Sequence, residues 1–94
     1  MIRVTLLTRP ECNHCDDARR ILGRLAEQYP LQLSSLDIDS AAGQELALSG
    51  GLLFPPGVVI EGRPFCYGRP SEGRLRRELE RLTGTHRGSD GAVR

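Results

Sequence analysis

The chain has no lysine and no tryptophan, and only 4% of its residues are aromatic. All 13 of its Lys/Arg positions are arginine, which excludes Schiff-base chemistry and a lysine general base. Cysteine is scarce as well: Cys12 and Cys15 form a local pair and Cys66 stands far from both. An odd count with one close pair is not the disulfide framework of a small secreted domain, so a reducing cytoplasm is the expected setting. No apolar run is long enough for a signal peptide or a membrane helix, and Met1-Ile2-Arg3-Val4 opens directly on a strand-like run. A formal net charge of +1 gives no reason to expect nucleic acid or an anionic membrane as partner. The expectation is a soluble cytoplasmic monomer with neither of those partners.

Ninety-four residues with a hydrophobic fraction of 38% suit one small domain that folds without staples. Ile2 to Leu7 is a β-branched and apolar run closed by Arg9-Pro10 and reads as a first strand. From Cys15, apolar residues recur at Ala18, Ile21, Leu22, Leu25, Ala26 and Tyr29, a helical spacing that Pro30 ends. Asp16 and Asp17 suit the start of that helix, with Arg19, Arg20 and Arg24 on its wet side. Leu31 to Ile38 reads as a second strand with an irregularity at Ser34-Ser35, and Ala41 to Ser49 as a short helix closed by Gly50-Gly51. Leu53 to Ile60 carries a proline pair into a third strand. Glu61-Gly62-Arg63-Pro64 is turn chemistry, so Phe65-Cys66-Tyr67 returns as a fourth strand. Ser71 suits an N-cap for a last helix bearing Leu75, Leu79 and Leu82, with its arginines solvated. The expected domain is 1–84; the polar, aperiodic 85–94, including His86, is expected to be a flexible tail.

The order β-α-β-α-β-β-α implies an α/β fold with a four-stranded mixed sheet flanked by three helices: a parallel pair from the first two strands, a hairpin from the last two. In this order Pro10 to Asp17, P-E-C-N-H-C-D-D, falls between a strand and a helix. A C-x-x-C there has a specific use. The first cysteine meets the unsatisfied N–H groups of the helix start, which lower a thiol pKa from about 8.5 into the range of roughly 3.5–7.5, and the second lies one turn on, within bridging reach. Cys12 is then the attacking thiolate and Cys15 the resolving thiol. His14 is the expected donor that stabilises the Cys12 thiolate, against Glu11, Asp16 and Asp17, which oppose further negative charge. Cys66 reads as a half-buried strand residue.

The strand, R-P-E-C-N-H-C, the helix, then F-P-P-G-V-V-I-E-G and a last helix resemble the thioredoxin superfamily, and the short form resembles the glutaredoxins. The resemblance runs from Ile2 to about Thr83. It implies a thioredoxin fold and a redox-active disulfide serving electron transport and cell redox homeostasis. It also implies a cis-proline at Pro56, with Pro55 and Pro56 beside Cys12 and Tyr67 near the bound substrate. Arg9 falls where glutaredoxins have a lysine that contacts a glutathione carboxylate. The chain departs from glutaredoxins at Asn13-His14, where those carry Pro-Tyr, and at Cys66-Tyr67, where a glycine pair would fall. Tyr67-Gly68-Arg69-Pro70-Ser71 partly resembles the redoxins that serve ribonucleotide reductase.

The expected function is a thiol-disulfide oxidoreductase acting on disulfides of proteins or small thiols, with no bound cofactor. Glutathione and a thioredoxin-reductase-type system are the two candidate electron donors. The alternative is a small metal carrier, holding Cu(I) or an iron-sulfur cluster through Cys12 and Cys15.

Overall fold

The computed structural model describes residues 1–84, so the expected tail at 85–94, with His86, lies outside the described residues. The elements are β1 (Ile2–Thr8), α1 (Asn13–Ala26), β2 (Leu31–Asp37), α2 (Ala41–Gly50), β3 (Gly57–Ile60), β4 (Arg63–Tyr67) and α3 (Glu72–Thr83). They form one four-stranded sheet in the order β2-β1-β3-β4. The β1–β2 pair is parallel, and β3 is antiparallel to both β1 and β4. The expected α/β order and mixed sheet are therefore present.

Alternation along β1 decides which helix covers which face. Val4 and Leu6 point into a core shared with Ala18, Leu22 and Leu25 of α1 and Leu75 and Leu79 of α3, whereas Leu7 joins Ile38, Ala47, Leu52 and Val59 beneath α2. With both faces covered, β3 is buried at all four positions, which is why it reads as a continuous apolar run. Burying a leucine such as Leu75 or Leu79 is worth about 1.5–3 kcal/mol, so these contacts hold α3 to the sheet. Leu82, expected in the same stripe, is 36% exposed at the helix end.

One expectation needs correction. The irregularity at Ser34-Ser35 does not occur: the two serines pair in register with Thr5 and Leu6, and Ser34 Oγ lies 3.2 Å from Thr5 Oγ1. Ladder pairing uses backbone groups, so polar side chains on an exposed edge strand do not disturb it. The break lies instead between β3 and β4, where Val58 faces Cys66 and Val59 faces Pro64, leaving Phe65 as the extra residue. Pro64 has no N–H to give to the ladder, which favours a bulge there. The arginines of α1 and α3 lie on exposed faces as expected, apart from the half-buried Arg76, and two of them also make ion pairs at the α1–α3 contact. Arg24 reaches across from α1 to Glu72 of α3 at 2.7 Å, Arg76 joins the same carboxylate at 3.3 Å, and the Tyr29 hydroxyl donates to Glu80 at 3.0 Å.

The helix ends follow local chemistry. Ser40 and Ser71 cap α2 and α3, accepting from Gly43 at 3.0 Å and Arg74 at 3.3 Å. Gly51 closes α2 with φ of 66°, a left-handed conformation suited to glycine. Among the described residues no helix is long and apolar enough to cross a membrane. For the site, the decisive feature is the register Leu7↔Gly57. β1 runs out toward Cys12 at the end of the sheet where β3 begins after Pro56.

Candidate active site

Cys12 is the N-cap of α1. Its backbone is extended, with φ of −118° and ψ of 107°, and its Sγ accepts the Cys15 amide N–H at 3.1 Å. A sulfur thus fills the place that serine or aspartate takes in most caps, and a thiolate there would be held by the same donor and by the positive end of the helix. Glu11 turns the chain into this cap with φ of 57°, in the left-handed region that non-glycine residues seldom occupy. Cys15 lies in the first turn with no exposed surface, while Cys12 is only partly buried. Their Cα atoms are 5.1 Å apart and their sulfurs are joined as a disulfide. The pair is therefore asymmetric in access: an outside reactant meets Cys12, and Cys15 reacts only inward.

Of the three neighbouring carboxylates, Asp16 and Asp17 have arginine partners that offset their opposition to a thiolate. Asp16 pairs with Arg19 at 2.8 Å, and Asp17 pairs with Arg20. His14 turns its Nδ1 toward Asp17 at 3.7 Å, beyond hydrogen-bond distance, and the donor on Cys12 Sγ is the Cys15 amide. The contact expected between His14 and the sulfur is not the one this disulfide form makes.

The Pro55-Pro56 bond is cis, as the resemblance implies. Pro56 is buried, and its carbonyl accepts the Gly68 amide at 2.8 Å. Tyr67 ends β4 opposite Gly57, and its ring meets Phe54 edge to face at a centroid distance of 5.0 Å. Phe54 and Leu53 remain 53% and 73% exposed. Pro55, Pro56 and Tyr67 are thus gathered at the end of the sheet from which Cys12 departs. Arg9 is engaged differently: its guanidinium holds both Asp39 oxygens, at 3.1 and 3.2 Å, tying the end of β1 to the loop after β2. Those hydrogen bonds, then the Asp39 charge, raise the Arg9 pKa above its ordinary value.

Cys66 faces Val58 across the β3–β4 ladder and packs against the core under α1 and α3. Burial pushes its thiol pKa up, and the charge of Arg74 only partly offsets this. A thiol held protonated is a poor nucleophile at neutral pH, which fits a packing residue. Among the described residues no group of three or more His, Cys, Asp or Glu side chains is placed to hold a metal ion. The carrier alternative therefore gains no further ligand from this part of the chain.

Three features escaped the sequence reading: the Phe54–Tyr67 ring pair, the Asp39 partner of Arg9, and a groove of about 290 Å³ beside Arg69. The first joins residues far apart in sequence, and no periodicity could have paired them. A larger hollow of about 300 Å³, near Ile60, Arg63 and Leu82, lies at the opposite end of the sheet and has no part in the site.

A central strand that delivers a capped cysteine pair, next to a strand that starts at a cis-proline, defines a thioredoxin-fold redox domain. Solved thioredoxins share the architecture: a mutant thioredoxin of Halobacterium salinarum superposes with a TM-score of 0.69 at 23% identity, covering 87% of this chain and 74% of that one. Oxidised mitochondrial thioredoxin 3 of Saccharomyces cerevisiae gives 0.67 at 18% identity, over 86% and 78%. Within that class the chain belongs to the family described as Glutaredoxin-like domain (DUF836), whose model matches residues 3–80. It is also similar to a probable thioredoxin of Archaeoglobus fulgidus, with 29% identity over 89% of this chain and 92% of the relative. A thioredoxin of Methanocaldococcus jannaschii is 27% identical over 79% and 87%. The pair and the family together make this a thiol-disulfide redox domain.

Proposed function

We propose that the protein reduces or exchanges disulfides of protein or small-thiol substrates through its Cys12/Cys15 couple. The observation that carries this is the asymmetry of the pair: Cys12 reachable and capped by an amide, Cys15 buried one turn on. In the reduced form the Cys12 thiolate attacks one substrate sulfur, forming a mixed disulfide and expelling the other sulfur as a thiolate that takes up a proton. Cys15, deprotonated, then attacks Cys12 Sγ and expels the remaining substrate sulfur. Two electrons and two protons have passed to the substrate, and the Cys12–Cys15 disulfide is left. The substrate chain lies along Pro55, Pro56 and Tyr67. An external donor restores the dithiol with no cofactor resident in the domain.

Two observations favour a thioredoxin-reductase-type donor over glutathione. Arg9, the counterpart of the glutathione-contacting lysine, is engaged by Asp39, and Cys66-Tyr67 stands where a glycine pair would hold glutathione. The curated relatives bear the name thioredoxin, which supports the same direction. The test has two arms. Cys15→Ser should accumulate a substrate adduct on Cys12, seen by mass spectrometry, whereas Cys12→Ser should be inactive. Recovery of the oxidised protein should be fast with NADPH and thioredoxin reductase and slow with glutathione and glutathione reductase. Full activity in Cys12→Ser would refute the assignment.

A further inference from the structure

The two flanks of the site differ in chemistry. Beside the Gly68–Pro56 hydrogen bond, one flank exposes Leu53, Phe54 and Tyr67. On the other, Arg69 follows Gly68 directly and lines a groove of about 290 Å³ with Asp17, Arg20, Ile21, Arg24 and Pro70. Asp17, the nearer end of this groove, is also the carboxylate that His14 approaches, so the groove begins one side chain from the cysteine motif. It holds three guanidiniums. Arg20 has Asp17 as partner and Arg24 has Glu72, and each of those carboxylates also meets a second basic side chain, His14 or Arg76. Arg69 makes no hydrogen bond or ion pair among the described residues. A fork of donors beside a groove with surplus positive charge is suited to a carboxylate, which it can bind bidentately.

We propose that this site selects protein disulfides carried on acidic segments: an Asp or Glu near the reacting cysteine docks at Arg69, and an apolar neighbour on the other side packs on Phe54 and Tyr67. The proposal rests on the redox reading above and names the substrate class of that same site. A protein segment fits better than a small acidic thiol, because the apolar flank is exposed as well and a ligand must extend past the Gly68–Pro56 bond to meet both sides. Both charges are exposed, so their attraction is screened beyond about 10 Å at 0.1 M salt and the selectivity must weaken as salt rises.

The experiment uses two disulfide-bearing peptides that differ only in Asp or Lys beside the cysteine, with hydroxyethyl disulfide as a neutral reference. Wild-type protein should reduce the Asp peptide with a kcat/KM roughly tenfold above that of the Lys peptide, the size of a charge-assisted contact. The ratio should fall toward unity in 0.5 M NaCl and invert in Arg69→Glu, while Arg69→Lys keeps a reduced preference. The salt series on wild-type protein needs no variant and is decisive if the substitutions disturb folding. Equal rates on the two peptides, with hydroxyethyl disulfide turned over normally, would overturn the selectivity and leave the redox reading intact. A preference that depends on Arg69 only for a glutathione mixed disulfide, and not for the peptides, would overturn it in favour of a small acidic thiol. No turnover of hydroxyethyl disulfide would overturn both.

Discussion

The Gly68 amide donates to the Pro56 carbonyl at 2.8 Å, latching the end of β4 to the proline loop at the head of β3. Through this bond Tyr67, Gly68 and Arg69 are held as a wall beside the loop. Gly68 itself has φ of 81°, and a Cβ added there would stand 3.0 Å from Phe54 Cε1. Gly68→Ala should therefore cost about 1–3 kcal/mol through its backbone conformation alone. It should also displace the Phe54 ring. Thermal unfolding with near-ultraviolet circular dichroism checks both, and an unchanged melting temperature would contradict the conformational cost assigned to Gly68.

Two helix glycines should respond to alanine with opposite signs. In α1, Gly23 has nothing within 4 Å of an added Cβ, so Gly23→Ala should stabilise the protein by about 0.5–1 kcal/mol. In α2, a Cβ on Gly43 would lie 2.1 Å from the Asp37 carbonyl oxygen, a backbone atom that cannot swing away. Gly43→Ala should destabilise by about 1–3 kcal/mol despite the better helix propensity. Denaturant titration of the two variants side by side provides the comparison.

Cys66 should be silent toward alkylation at neutral pH. Burial raises its pKa in the folded state above that in the unfolded chain, so the folded form retains its proton as the unfolded form loses it. Its effect on stability is absent below the ordinary thiol range and becomes destabilising as pH rises through it. Iodoacetamide labelling followed by mass spectrometry, on protein whose Cys12–Cys15 disulfide is intact, should show slow modification of Cys66 until the pH exceeds that range.

Glu72 joins α3 to α1 through Arg24 and also pairs with Arg76 one turn on along its own helix. Its pKa lies below the ordinary carboxylate value, chiefly through the Arg24 hydrogen bond and, against some desolvation, through the charges of both arginines. A lowered folded pKa contributes stability that is complete above the ordinary carboxylate pKa and lost as pH falls through the folded value. The melting temperatures of wild type and Glu72→Gln should thus differ at pH 7 and converge in acid. A gap that stays constant down to pH 3 would count against the ion pair as its cause.

Much of the fold was legible in local chemistry. The strand runs, the apolar periodicity of Ala18, Leu22 and Leu25, and the caps at Ser71 and Gly51 each depend on neighbours within a turn or two. The C-x-x-C could be placed at a helix start for the same reason. The bulge at Phe65 was not legible, because it arises from the partner strand of Pro64. The irregularity read into Ser34-Ser35 came from side-chain polarity, which a parallel ladder does not sense.

By itself the sequence determined the order of elements and the position of Cys12 and Cys15, since both follow from short-range hydrogen bonding and apolar spacing. Only the tertiary structure decided the long-range partners: Asp39 for Arg9, Phe54 for Tyr67, and none among the described residues for Arg69. Side-chain pairing across a sheet end depends on register and on the angles at which helices pack, which one-dimensional spacing does not encode.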